Sequence, residues 1–220
     1  MGTQGLMMSE ETPDTLEAAR LEKLRRIEAL GLDPWGRRFD DHQAIVDVRN
    51  IFLPEKTEGA DEPPRPKVRV AGRIVLKRGQ GKVAFLQVRD WTGTIQVMLG
   101  KNQVGEGGWA IASELDLGDL IGIDGGLGLT KTGELTVFAE TLTFLGKSLL
   151  PPPEKWHGLT DTEKRSRQRY VDLAHNPESL QTFLGRSKVV AAFRKVLAGQ
   201  GFVEVETPMM QAIAGGAAAK

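Results

Sequence analysis

An α+β chain built around a five-stranded Greek-key barrel is predicted by three features of the sequence. Apolar residues recur at every second position through KVAFLQVRDWTGTIQVML, Lys82 to Leu99, on either side of a central turn, as in two half-buried strands. Between Val68 and Phe144 the pattern runs strand, strand, strand, helix-like piece, strand, strand. Glycines fall at the corners, where a barrel must turn sharply.

The hairpin sets the faces. Ala84, Leu86 and Val88 lie on the core side of its first strand, with Val83, Phe85, Gln87 and Arg89 opposite. In its second strand Ile95, Val97 and Leu99 point inward and Thr94, Gln96 and Met98 outward, around a turn at Asp90 to Gly93. Simple register sets Gln87 opposite Gln96 and Phe85 opposite Met98. An outward Phe85 among amides and Arg89 suits a base-stacking platform, and the other reading places it under a loop or in a second small core.

The strand before the hairpin, VRVAGRIVL, is expected to turn Val68, Val70, Ile74 and Leu76 inward, with Gly72 where a long strand needs a bulge. A short helix is expected near Trp109 to Leu115, then GDLIGIDGGLGL and GELTVFAETLTFL as the last two strands around a turn at Lys131 to Gly133. This order is that of an OB fold, whose oligonucleotide site lies on strands 2 and 3 and on the loops joining strands 1 to 2 and 4 to 5. Charge favours the same face. From Arg65 to Lys82 the ionisable residues are Arg65, Lys67, Arg69, Arg73, Lys77, Arg78 and Lys82, with no acid between them. Arg78, at the mouth of the first loop, offers a guanidinium fork to a base edge or phosphate. Glu134 is expected on the outer side of the last strand, either as an ordinary surface carboxylate or as an acceptor for a base edge.

Composition excludes several classes. The 220 residues balance 29 Lys and Arg against 29 Asp and Glu, so any basic surface is local. With no cysteine and three histidines, disulfides and thiolate or histidine-rich metal sites are not expected. No apolar run approaches the ~20 residues that cross a bilayer, and no signal peptide pattern opens the chain, so the reading is soluble and cytoplasmic.

Outside the barrel, Met1 to Thr15 is polar and carries no motif. Leu21, Leu24, Ile27 and Leu30 then recur at helical spacing among basic residues, with Gly31 as a stop. A short helix is expected near His42 to Val48. After the barrel, Pro151 to Pro153 form a spacer, and Asp161 is a candidate cap for a charged helix through Asp172. A longer amphipathic helix, about Ser179 to Ala198, ends at Gly199 and Gly201, and FVEVETP is expected to continue as a strand broken at Pro208.

VRVAGRI, TGTIQVML, KTGELT, HGLTDTEKRSRQRYVDL and GFVEVETPMMQAIAGGAAAK together resemble the N-terminal part of bacterial lysyl-tRNA synthetases, from about Leu21 to the last residue. Aspartyl- and asparaginyl-tRNA synthetases share the barrel and the helix-strand-proline motif but differ from QAIAGGAAAK after the proline. The resemblance implies an N-terminal extension and helix (1–66), an anticodon-binding OB domain (67–146), a linker (147–177) and an incomplete start of a class II catalytic domain (178–220). It implies that the middle anticodon base stacks on Phe85 and is read by Gln96 and Arg78, with Glu134 near a flanking base and Arg73, Lys77 and Lys82 as candidates for the RNA backbone. It further implies that Phe193, Phe202 and Pro208 meet a second subunit of a homodimer, and that Gly215 and Gly216 approach the lysine substrate through their backbone.

The implied activity is attachment of lysine to tRNA(Lys) with ATP and Mg2+. Because the chain ends where the family's catalytic domain is beginning, it is expected to lack aminoacylation activity alone, to contain no catalytic or metal-binding residues, and to bind ATP and Mg2+ poorly. Two other classes remain at this stage. One is a stand-alone OB protein that stacks single-stranded nucleic acid without regard to sequence. The other is an interaction protein whose last helix and strand pair with a full-length synthetase.

Overall fold

The computed structural model describes residues 13–54, 64–151 and 159–208, in two compact units that divide at Pro152/Pro153. Gly215 and Gly216 lie outside the described residues.

In the first unit, helices α1 (Pro13–Ala29) and α2 (Ile45–Arg49) precede strands β1 (Lys67–Gln80), β2 (Val83–Arg89) and β3 (Thr94–Gly100). Helix α3 (Lys101–Glu114) follows, then β4 (Leu120–Leu129) and β5 (Leu135–Gly146). The strands close in the order β1-β2-β3-β5-β4, with β3 and β5 parallel and the other pairs antiparallel. This is the Greek-key OB barrel. Its core holds Ala84, Leu86, Val88, Ile95, Val97 and Leu99, the inward set read from the hairpin. Ile27 of α1 and Ile45 and Val48 of α2 join that core, so both early helices are plugs on the barrel. Helix α3 is longer than the sequence suggested and changes direction at Gly105, whose φ of 70° lies in the left-handed region.

Strand β1 pairs with β4 through Lys67 to Arg73 and with β2 through Arg73 to Gln80, so it must bend sharply between its two partners. At the bend a Cβ on Gly72 would lie 2.6 Å from the carbonyl oxygen of Arg89, so no side chain fits there. The bulge itself lies two to three residues further on, where the register slips between Ile74 and Leu76. That slip corrects the expected faces: Ile74 stays buried opposite Val88, Leu76 moves to the outer side opposite Gln87, and Lys77 turns to the Leu86 side.

The turn between β2 and β3 is held by Asp90, whose Oδ1 accepts from the backbone N–H of Thr92 (2.7 Å) and Gly93 (2.9 Å). Its Oδ2 accepts from the N–H of Ile45 at 2.8 Å, so the same carboxylate pins α2 to the barrel. Burial disfavours charge on Asp90, but these bonds outweigh it and hold its pKa below the usual carboxylate value. Asp116 is likewise depressed: burial raises it, and hydrogen bonds from Lys147 and Lys23 more than reverse that. Both groups have lower pKa values folded than unfolded, so their stabilisation is complete above about pH 4 and fades as pH falls through the folded values. Urea unfolding between pH 7 and pH 3 is expected to show a flat midpoint down to about pH 4 and a decline below it. A midpoint that rose with acid would contradict the assignment.

The second unit contains α4 (Thr162–Arg167), α5 (Arg169–His175) and α6 (Pro177–Gly199). Asp161 caps α4, accepting from the N–H of Glu163 (2.9 Å) and Lys164 (3.2 Å). The single charged helix expected through Asp172 is broken at Gln168, whose ψ of 57° leaves the helical region. The break lets Asp172 sit inaccessible to solvent under Arg165 (2.8 Å), Arg169 (2.5 Å) and Asn176 (2.6 Å). Led by the Asn176 bond, these contacts lower its pKa to about 2. Residues 202–208, expected as a strand, have no ladder partner among the described residues and are not a strand.

Candidate nucleic-acid interface

The outer faces of β1, β2, β3 and β5 carry two parallel rows of side chains. Register places Arg78, Phe85, Met98 and Phe138 side by side in one row, and Leu76, Gln87, Gln96 and Thr136 in the next. Two residues along a strand separate the rows, roughly 7 Å. An apolar row therefore lies beside a polar one at about the spacing between the ring and the far edge of a nucleobase.

Apart from Thr136, which is buried, these rows form the floor of an open cavity of about 610 Å³. Its walls include Arg65, Leu129 at the end of β4 and, from the turn between β4 and β5, Thr130, Lys131 and Thr132. The Arg65 guanidinium stacks 3.6 Å from the centroid of Phe138. β4 makes room for it, since a Cβ on Gly126 would lie 2.8 Å from the Cβ of Arg65. The bulge in β1 aims Arg78 here, because without the slip Lys77 would occupy the outer phase.

Arg78, Phe85 and Gln96 thus line one cavity. Phe138, Arg65, Gln87 and Lys131 also line it; the sequence sets Gln87 on the outward face and Arg65 in the basic run without marking either as a site residue, and the outward period of GELTVFAE carries the signal for Phe138. Glu134 directly precedes β5, is exposed, and its backbone closes the turn by bonding Thr130 in both directions (2.9 and 3.1 Å). Its carboxylate does not line the cavity.

Most of the basic run is committed to the fold, which corrects the expectation for Arg73 and Lys77. Arg73 donates to the Gly118 carbonyl at 2.6 Å. Lys77 donates to the Ala112 and Leu115 carbonyls at 3.0 and 2.7 Å, at the C-terminal end of α3, where a cation is favoured. Burial, with Lys23 nearby, lowers the Lys77 pKa. Lys67 pairs with Glu140, and Arg69 with Asp124 at 2.6 Å. Arg78 and Lys82 remain exposed. Cations of α1 are also committed: Arg20 donates to the Leu117 and Ser148 carbonyls (2.9 and 2.8 Å), and Lys23 bonds Asp116 at 2.5 Å.

Residues 68–145 match the family described as an OB-fold nucleic acid binding domain, and residues 161–220 match class II tRNA synthetases (D, K and N). The chain is 45% identical over 93% of its length to a lysine–tRNA ligase of Dehalococcoides mccartyi. It is 46% identical over 97% of its length to that of Staphylococcus saprophyticus, and 43% identical over 97% to that of Carboxydothermus hydrogenoformans. The chain belongs with the lysyl-tRNA synthetases. It spans 41–43% of the length of these relatives. Among the described residues no helix is long and apolar enough to cross a membrane, and no group of three or more His, Cys, Asp or Glu is placed to hold a metal ion.

Proposed function

We propose that the barrel of this synthetase chain binds the anticodon loop of tRNA(Lys), taking the unstacked middle base onto Phe85 with Gln96 and Arg78 at its edge. The observation that carries this reading is the pair of rows under one cavity: an aromatic floor for the face of a base beside amides for its edge. Lys82 and Lys131, both exposed, and Arg65 over Phe138 supply positive charge for the backbone of the loop. Glu134, next to the turn that walls the cavity, is proposed to meet a flanking base.

In the whole enzyme this module serves the attachment of lysine to tRNA(Lys) with ATP and Mg2+. Gly215 and Gly216 are proposed to approach the lysine. Homodimer formation is proposed through α6 and the segment after it. Val189, Phe193 and Val196 of α6 and Phe202, Val203 and Val205 beyond it are exposed in the second unit, an apolar surface that favours a covering partner, with Pro208 at its end.

Fluorescence anisotropy with an anticodon stem-loop bearing UUU, and with the same loop carrying a changed middle base, tests the reading at two salt concentrations. The expected result is a loss of roughly 1–3 kcal/mol for the changed base at both salts. Equal affinities that fall together with salt would reduce the site to a generic polyanion surface.

A further inference from the structure

The Thr136 hydroxyl is inaccessible to solvent and carries one proton. It donates that proton to the Glu134 carbonyl at 3.0 Å. Toward Gln96 the same oxygen can therefore only accept, and Nε2 of Gln96 lies 2.8 Å from it. Turning the amide over would draw the Thr136 proton to the Gln96 oxygen and forfeit its bond to the Glu134 carbonyl, one hydrogen bond fewer in a site closed to water. The amide is thus held one way round, with Nε2 on Thr136 and Oε1 on the other side, at the polar row of the cavity.

The relay has a fixed end. The Glu134 carbonyl that receives the Thr136 proton also accepts the Thr130 N–H at 2.9 Å, and the Glu134 N–H bonds Thr130 Oγ1, which meets Thr132 Oγ1 at 3.0 Å. The turn that walls the cavity therefore sets the proton order beneath its floor.

We infer that Thr136 is a positioning residue for base selection: it makes Gln96 present an acceptor, so that the cavity favours a base whose pairing edge offers a ring N–H, uracil over cytosine. This rests on the anticodon reading above and adds how the amide chooses. Uracil N3 and guanine N1 carry a hydrogen and cytosine N3 and adenine N1 do not, so at the ring nitrogen Oε1 meets a donor only in the first pair. A glutamine free to turn would serve either kind of edge.

The test uses the full chain and two stem-loops, UUU and UCU, with wild type, Thr136→Val and Thr136→Ser. Wild type and Thr136→Ser are expected to prefer UUU, and Thr136→Val to lose about tenfold of that preference, or about 1.4 kcal/mol, while keeping UCU affinity. In a Gln96→Ala background, Thr136→Val is expected to have no further effect on the preference, because its action runs through that amide. A preference unchanged in Thr136→Val overturns the inference and leaves the anticodon reading standing. No preference in wild type overturns the anticodon reading itself. If Thr136→Val does not fold, NMR of the wild-type Gln96 side chain decides. Slowly exchanging amide protons support the relay, and rapid exchange equal to that of an exposed glutamine overturns it.

Discussion

Phe85→Ala is expected to bind the UUU stem-loop roughly ten- to a hundredfold more weakly, the 1–3 kcal/mol that a stacked base gains on an aromatic ring. Phe85 sits between Arg78 and Met98 on the outer face, and only its flank is shared with the polar row. Its removal takes away the platform and leaves the inward set of β2 and β3 intact, so the urea midpoint is expected to stay near that of wild type. Phe85→Trp offers a larger face and is expected to retain binding. The loss should be as large at high salt as at low, because stacking is not screened, whereas a purely electrostatic site would be limited by Lys82 and Lys131. Equal affinity of Phe85→Ala and wild type would remove Phe85 from the site and return it to the reading of an aromatic with a packing role.

Lys147→Met is expected to cost about 3–5 kcal/mol of stability, the penalty for removing one partner of a buried ion pair. The ammonium of Lys147 and the carboxylate of Asp119 are both inaccessible to solvent and 2.8 Å apart. The three ammonium protons have three acceptors: Asp119 Oδ2, Asp116 Oδ2 at 2.7 Å and the Glu114 carbonyl at 3.2 Å. Without the lysine, Asp119 keeps only the backbone N–H groups of Asp116 (2.7 Å) and Ser148 (2.8 Å) and no counter-charge. The double variant Lys147→Met, Asp119→Asn removes the stranded charge and is expected to recover part of the loss, which a simple packing defect would not do. Urea unfolding followed by circular dichroism measures both. A loss under about 1 kcal/mol in the single variant would mean that the pair behaves as an exposed one. This corner also carries α1, through Lys23 on Asp116 and Arg20 on the Ser148 carbonyl, so the first helix is expected to loosen with it.

Local pattern explains what was legible. Alternation with period two fixes which side of a strand each residue takes, and the pairing of Gln87 with Gln96 and Phe85 with Met98 follows once a four-residue turn sets the register. The Asp161 cap is equally local, since a side chain two or three residues from its backbone partners needs no tertiary information. The fate of VRVAGRIVL was not legible, because the bulge falls at Ile74 to Leu76 and reverses the phase of the residues beyond it. Gly72 was a true marker of the bend but not of the slip. FVEVETP has a strand's composition, yet a strand exists only where a partner supplies its hydrogen bonds.

The basic run shows the division most sharply. Seven cations without an acid between them read as one electropositive stripe, but their partners lie far along the chain. Asp124 is 55 residues from Arg69, and the Gly118 carbonyl 45 residues from Arg73. A backbone carbonyl has no letter in a sequence, so nothing local says that Lys77 ends on the last turn of α3 while Arg78 beside it faces the cavity. By itself the sequence determined the barrel, the inward set of its hairpin, the outward Phe85 and Gln96, and the family that the motifs resemble. Only the tertiary structure decided which charges reach that face, and that the Thr136 hydroxyl donates to the Glu134 carbonyl and accepts from Gln96, because both depend on groups brought together by closure of the sheet.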